Sequence, residues 1–338
     1  MDKISKKIFK VLRREKLSAE ELNSVRQNVL SNIKEYPSDQ TFAPEFNHGW
    51  LFNRLLNANK YLVAVAVCLI IISSSGLISY AAESALPQNI LYPIKINVNE
   101  KIKSALTITP AAKAKWQVQL VARRLSEAEK LSEIKELRTE TIQNLEKNLN
   151  SEVENAQNLI EHFKRENTED LAISTSSSLE ATLKAHAEIL TSIIEKSIDE
   201  NAAEKKDDDE KIKEKIELLK SVAETTKDSA EFRSQVESEA LAKPESQIDN
   251  LAQEKLKEAA YAINEAQFYF EANQSQINPT EFQPAWQKLQ EAKQIFAAGE
   301  KFMAKENHKE AFVSFQTTIR LIQAAKIVFA ASYLQNIE

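Results

Sequence analysis

The sequence predicts an all-α protein that is anchored in a membrane and forms an elongated antiparallel helical bundle outside it. Only 3 Gly and 8 Pro occur among 338 residues, and the chain is rich in the helix formers Ala, Glu, Lys, Leu and Gln. Outside the most apolar stretch, no alternating run rich in Val, Ile and Thr predicts a sheet. Narrow apolar stripes at intervals of three and four residues are typical of helices that pack side by side.

The most apolar stretch runs from Tyr61 to Tyr80 and contains 20 residues without a charge. A helix of this length spans the hydrocarbon core of a bilayer, which is about 30 Å thick. Residues 1–60 carry 11 Lys and Arg against 7 Asp and Glu, whereas the rest of the chain carries 33 against 43. This bias predicts a transmembrane helix at 61–81 with the N-terminus in the cytoplasm and the long C-terminal part outside.

The same segment permits a second interpretation. Ser79-Tyr80-Ala81 and Tyr80-Ala81-Ala82 resemble the small-residue cleavage site of a secretory signal peptide. The segment before the span is longer than an ordinary signal n-region, which favours an uncleaved anchor. Cleavage would instead release an exported helical envelope or scaffold protein.

The predicted cytoplasmic arm, residues 1–36, contains a basic amphipathic stretch and a second helix that begins with a capping box. Pro37 ends this helix, and residues 37–60 form a linker to the membrane. Two short helices bury little apolar surface on their own, so we expect the arm to pack against a protein partner. The residues expected to bind it follow one another at helical spacing: Leu22, Val25 and Val29.

Two further domains are predicted outside the membrane: a helical domain at 82–243 and a C-terminal helical bundle at 244–338. A short helix is expected near 94–106, and Thr109 caps the next helix, which has Pro110 at its first position. One later helix has an apolar stripe formed by Ile142, Leu145, Leu149, Ala156, Ile160 and Phe163. The stripe predicted for another helix consists of Ile212, Ile216, Leu219, Ala223 and Ala230.

A conspicuous motif follows the predicted span, and its prolines, Pro87 and Pro93, predict an extended connection away from the bilayer. The motif residues are Leu86, Pro87, Leu91, Tyr92, Pro93, Lys95, Glu100, Ala105, Leu106, Lys113, Ala114, Ala122, Arg123, Arg124, Leu125, Glu127, Ala128 and Glu129. This run resembles a bacterial domain family of unknown function, found just beyond the anchor of single-pass, anti-sigma-factor-like membrane proteins. The family has Gly-Asp where this chain has Gln88-Asn89.

The resemblance covers about residues 83–135 and implies a protein of the bacterial cell membrane. It also implies signalling, in which the cytoplasmic arm binds a regulator such as a sigma factor, although the chain lacks the zinc-type His-x-x-x-Cys-x-x-Cys motif. We expect Tyr92, Lys95, Arg123 and Arg124 to be the partner-binding residues of the outer domain. As an alternative to partner binding, the two arginines, together with Glu127, could form a structural bridge to the proline-containing connection.

The C-terminal bundle is predicted to end in a helical hairpin, preceded by a loop at 274–284. The hairpin is similar to part of a tetratricopeptide unit at Gly299, Phe302, Ala311 and Phe315. A small residue at the first position lets two helices approach, and the aromatic side chains fill the cleft between them. One such unit cannot form a peptide-binding groove, because stacking needs about three repeats.

No catalytic or metal-binding pattern emerges from the sequence. The single cysteine, Cys68, lies within the apolar stretch, and no histidine has a His or Cys partner at metal-ligand spacing. Three glycines cannot build a phosphate-binding loop, and the acidic outer part argues against direct nucleic-acid binding. We therefore predict a protein that is not an enzyme, needs no cofactor and acts through protein partners.

Overall fold

The computed structural model of the chain describes residues 79–133, 138–204 and 209–335. These ranges are helical and contain no strand, which confirms the predicted all-α class. The predicted arm, the linker and all of Tyr61–Tyr80 except its last two residues lie outside the described ranges, and so do Leu22, Val25 and Val29. Among the helices that the structure describes, none combines the length and the apolarity that a membrane crossing requires.

The described chain begins with a helical turn at 79–83. Residues 92–106 then form one continuous helix, α1, in which a π-helical stretch, Lys95–Glu100, joins Tyr92–Ile94 to Lys101–Leu106. The longer helices that follow are α2 (Pro110–Glu133), α3 (Thr139–Arg165), α4 (Glu169–Glu204), α5 (Asp209–Leu241), α6 (Glu245–Asn273), α7 (Pro279–Met303) and α8 (His308–Gln335).

Short connections join helices that pack against each other. Residues 166–168 link α3 to α4, and residues 304–307 link α7 to α8. Asn167 and Glu306 take left-handed backbone conformations, with φ of 55° and 62°, and so reverse the chain within these few residues. Neighbouring helices connected in this way run antiparallel. With 36 residues, α4 is about 54 Å long, so the bundle is elongated as predicted.

The long helix α4 is the centre of the bundle, because it packs against α2, α3, α5 and α8. One apolar core therefore includes both Leu183 of α4 and Phe312 of α8. Across the same region, Arg320 of α8 pairs with Glu237 of α5 at 2.6 Å. Pro244, where the second outer domain was predicted to begin, caps α6 and lies between helices that share this core.

The predicted stripe of α3 is confirmed, because all six of its residues are buried. The stripe predicted for α5 is wrong in part: Ile216 and Ala223 are exposed, whereas Leu219 packs against the core. The side of α5 that faces the core combines apolar and polar residues, namely Lys215, Leu218, Val222, Ser229 and Val236. Because polar residues occupy part of this side, the spacing of apolar residues in the sequence indicates the wrong side of the helix as the buried one.

The C-terminal hairpin of α7 and α8 is present, and Gly299 of α7 packs closely against Phe315 of α8. A Cβ atom at Gly299 would lie 2.6 Å from Cε1 of Phe315. The loop before the hairpin is shorter than predicted, since α7 already begins at Pro279. The side chain of Asn278 caps the helix by accepting a hydrogen bond from the backbone N–H of Thr280 at 3.2 Å. This start signal outweighs the cost of a proline inside α7, at position 284.

Candidate functional site

The segment between the predicted span and α2 folds into turns and a helix, so the extended connection predicted here is wrong. The carbonyl of Leu86 accepts a hydrogen bond from the backbone N–H of Asn89 at 2.8 Å. The side chain of Asn89 then accepts a bond from the N–H of Leu91 at 2.9 Å. Pro93 lies in the first turn of α1, where a missing N–H costs nothing. Asn89 thus closes a turn where the resembled family has Gly-Asp.

A buried ionic cluster joins α1 to α2 around the carboxylate of Glu127. Tyr92 donates its hydroxyl to Oε2 at 2.7 Å, and Nζ of Lys95 lies 2.6 Å from Oε1. Nη1 of Arg124 contacts both carboxylate oxygens, at 2.7 and 2.8 Å, and also donates to the Tyr92 hydroxyl at 2.9 Å. Nη2 of Arg124 donates to Glu100. All five side chains are buried, and we call them the ionic cluster.

A more exposed ion pair extends the ionic cluster towards the helical turn at 79–83. Glu83 Oε1 accepts hydrogen bonds from Arg123 at 2.5 Å and from Lys103 at 2.8 Å. Both cations lie against the ring of Trp116, at 5.2 and 5.8 Å from its centroid. The turn, α1 and α2 are therefore held together at their surface as well as in their interior.

Asn99 provides the link closest to the predicted span. Its Nδ2 donates to the backbone carbonyl of Ser79 at 2.7 Å, and the Ser79 hydroxyl donates to its Oδ1 at 2.5 Å. Asn99 is buried, and so are Ala82 and Ala85 on the facing segment. Nζ of Lys95 donates to the carbonyl of Ala85 at 3.1 Å. Residues 79–85 are thus fixed to α1 by the buried side chains of Asn99 and Lys95.

Burial and neighbouring charges shift the pKa values of the ionic cluster and of Glu83. Burial and the neighbouring Glu127 raise the pKa of Tyr92, so its hydroxyl remains a donor. Burial also raises the pKa of Glu100, although Arg124 opposes the shift. Despite its own burial, Arg124 has a raised pKa because of the carboxylate of Glu127. Burial alone would raise the pKa of Glu83. The hydrogen bonds from Lys103 and Arg123 outweigh this effect and lower the pKa to about 2.

The structure thus brings together three of the predicted partner-binding residues, Tyr92, Lys95 and Arg124, and buries all of them. Arg123 is partly exposed and pairs with Glu83. The bridge from the arginines to the segment after the span is present, and binding of an outside partner by these residues stays a prediction. The charged groups of the cluster pair with opposite charges within the cluster, so its geometry suits a structural role, in which it holds α1 against α2.

Sequence reasoning did not assign Glu83 or Asn99 to this site. The sequence does contain an indication for Asn99, because Lys95, Asn99 and Lys103 follow one another every four residues and form one polar side of α1. Within the described ranges, no three His, Cys, Asp or Glu side chains come together in a way that could hold a metal ion.

A separate groove of about 680 Å³ lies between α2, α4 and α8. Its walls are mostly apolar, with Val118, Leu171 and Ile327 among them. Gln323 donates to the hydroxyl of Ser178 at 3.0 Å, while its buried Oε1 accepts no hydrogen bond from any residue that the structure describes. The volume falls within the range of small-molecule sites, so the groove is a second candidate surface on the bundle.

Comparison with known proteins gives one family. Residues 84–218, from the turn before α1 into α5, match a family described as a domain of unknown function (DUF5667). No curated protein and no solved structure matches the chain. The match agrees with the resemblance to a domain of unknown function that the motif residues indicate. The part of the chain that contains the ionic cluster and helices α1 to α4 is therefore similar to the DUF5667 family.

Proposed function

We propose that this chain is a single-pass bacterial membrane protein that acts through protein partners and not by catalysis. Its outer helical bundle binds a partner beyond the cell membrane, and its arm, residues 1–36, binds a cytoplasmic regulator in the manner of an anti-sigma factor. The uncharged stretch Tyr61–Tyr80 and the basic bias of residues 1–60 support this topology. The resemblance of the motif supports the signalling role.

The contact between Ser79 and Asn99 is the observation that carries the proposal. Ser79 is the last residue but one of the apolar stretch, and its backbone carbonyl and its hydroxyl both bond to the buried Asn99. Cleavage after Ala81 or Ala82 would remove Ser79, so Oδ1 of Asn99 would lose this donor and its Nδ2 would keep only Glu83 Oε2, at 3.3 Å. A buried polar group without a partner costs about 1–3 kcal/mol. This cost favours an anchor that stays attached to the bundle over a cleaved signal peptide.

An attached span is mechanically coupled to the bundle. The turn at 79–83 follows the predicted span directly and is bonded to α1 through Asn99 and to α2 through Arg123. A partner that displaces the outer bundle therefore also displaces residues 79–83, which follow the predicted span directly. This connection supports signalling across the membrane more than it supports a released scaffold.

The test uses the full-length chain with an N-terminal epitope and with Cys68 replaced by alanine. Single cysteines are introduced by Lys3→Cys in the arm and by Lys257→Cys at an exposed position of α6. A membrane-impermeant maleimide should label the cysteine at 257 in intact cells and the cysteine at 3 only after lysis. The epitope should remain joined to the full-length chain in the membrane fraction.

Two results would contradict the proposal in different ways. An epitope separated from a mature bundle would establish the exported, cleaved protein as the correct alternative. A cysteine at 257 that is protected in intact cells but reactive in lysate would place the bundle in the cytoplasm and reverse the topology.

A further inference from the structure

A set of exposed apolar side chains lies on α1 and on the chain beside it. Val98, Ile102 and Leu106 recur every four residues on α1 and are 44, 56 and 72% exposed. Three more exposed apolar residues lie within the same short segment. We call Val98, Ile102 and Leu106 the α1 apolar face; the other three, Tyr80, Ile90 and Ile108, are exposed on the chain before and after α1. A concentration of exposed apolar side chains of this kind marks a surface that contacts something other than water.

The α1 apolar face lies beside the end of the predicted span. Asn99, in the middle of α1, bonds to Ser79, and Lys103, one turn later, bonds to Glu83. The 20-residue apolar stretch ends at Tyr80, next to Ser79. The middle of α1 is therefore bonded to the residues at the end of the apolar stretch.

The charges around the α1 apolar face are basic. Between Tyr80 and Ile108 the acidic residues are Glu83, which pairs with Lys103 and Arg123, and Glu100, which is buried against Arg124. Three exposed lysines flank the face along the chain: Lys101, Lys113 and Lys115. Apolar side chains with neighbouring Lys residues are the composition of helices that lie on an anionic membrane surface.

We propose that the α1 apolar face rests in the headgroup region of the anionic bilayer that the predicted span crosses. The inference depends on the proposed single-pass topology and adds a second membrane contact to it. Ile102 and Leu106 enter the boundary between headgroups and acyl chains, and the three lysines pair with lipid phosphates. Because the ionic cluster fixes α1 to α2, this contact sets the orientation of the bundle on the membrane.

The experiment measures the depth of α1 with the full-length protein in vesicles that contain phosphatidylglycerol. In the Cys68→Ala background, Ile102→Cys carries an environment-sensitive fluorophore on the α1 apolar face. The matched control, Phe268→Cys, carries it on α6 at a residue that is 77% exposed. Lipids with a shallow quencher should remove more than about half of the emission at 102 and leave the emission at 268 unchanged.

The failures of the inference and of the proposed function are distinguishable. A probe at 102 that stays in water, while the protein resists alkaline extraction, would overturn the inference and leave the topology standing. Cross-linking between the cysteines at 102 of two copies, without quenching by lipid, would overturn it in favour of a second copy of this chain. Release of the protein by alkaline extraction would contradict the topology itself, and the inference with it.

Discussion

The hydroxyl of Tyr92 lies 2.7 Å from Oε2 of Glu127, a residue 35 positions later in the chain, and both side chains are buried. The same hydroxyl accepts a hydrogen bond from Arg124 at 2.9 Å. Hydrogen bonds to charged groups are stronger than those between neutral groups. Tyr92 therefore fixes the first turn of α1 to α2. The tyrosine of the Leu-Tyr-Pro run and the arginines of the following helix belong to one structural unit.

Tyr92→Phe removes this hydroxyl and keeps the ring. We expect the free energy of unfolding to fall by about 1–3 kcal/mol, because Glu127 and Arg124 lose a buried hydrogen-bond partner. Chemical denaturation of the full-length protein in detergent, followed by circular dichroism, measures the change. Tyr261→Phe, at an exposed position of α6, is the matched control and should shift stability by less than about 0.5 kcal/mol. Equal losses from both variants would contradict a special role for Tyr92.

Glu83→Gln tests the ion pairs next to the predicted span through their pH dependence. Burial opposes the shift, but Lys103 and Arg123 lower the pKa of Glu83 to about 2 in the folded protein, from a usual value of 4.5. Since the folded value is the lower one, the ion pairs stabilise the protein above about pH 4.5 and lose this effect as the pH falls towards 2. The melting temperatures of wild type and variant should differ near neutral pH and converge at the acidic end.

The control for this measurement is Glu154→Gln, which removes the same charge from an exposed position of α3. Its melting curve should follow that of the wild type at each pH. A gap between wild type and Glu83→Gln that does not change with pH would mean that Glu83 acts through packing and not through its charge.

Gly299→Ala tests the close approach of α7 and α8. The added methyl group would lie 2.6 Å from Cε1 of Phe315, so we expect a loss of about 1–3 kcal/mol from overpacking. The higher helix propensity of alanine offsets about 1 kcal/mol of this loss at most. Combining the change with Phe315→Leu should recover part of the stability, because the smaller side chain makes room. Additive losses in the double variant would contradict the predicted clash.

Replacing Leu22, Val25 and Val29 by Asp tests the cytoplasmic arm. If this apolar side binds the proposed regulator, chemical cross-linking of the full-length protein in membranes should no longer capture it. The matched control replaces three polar residues outside the apolar stripe by Asp and so adds the same charge: Asn23, Gln27 and Asn28. Undiminished capture by the first variant would show that the apolar side of the arm is not the binding surface.

Features that depend on local signals were predictable from the sequence. Thr109 caps α2 as expected, because its hydroxyl oxygen accepts a hydrogen bond from the backbone N–H of Ala112 at 3.1 Å. The stripe of α3 is regular and apolar, so its period indicates the buried side directly. The arginines of α2 could be connected with the segment after the span because their charge and their position in the motif are visible in the sequence.

Features that depend on partners distant in the chain were not predictable. Asn99 and Glu100 have the composition of a solvated helix side, and they are buried only because Ser79 and Arg124 meet them there. Lys215 lies on the buried side of α5 for a similar reason, because its Nζ donates to the Ser197 hydroxyl of α4 at 3.2 Å, and the buried Ser229 also interrupts the apolar stripe.

Hydrogen exchange of α1 tests most directly the central claim that the ionic cluster fixes this helix to the bundle. Glu127→Gln removes the shared charge, and breaking a buried ion pair costs about 3–5 kcal/mol. The amide protons of residues 96–106 should then exchange more than about tenfold faster than in the wild type, while those of α7 and α8 keep their protection. Glu154→Gln, the exposed control, should leave both regions unchanged. Unaltered protection of residues 96–106 in a folded Glu127→Gln protein would contradict the claim.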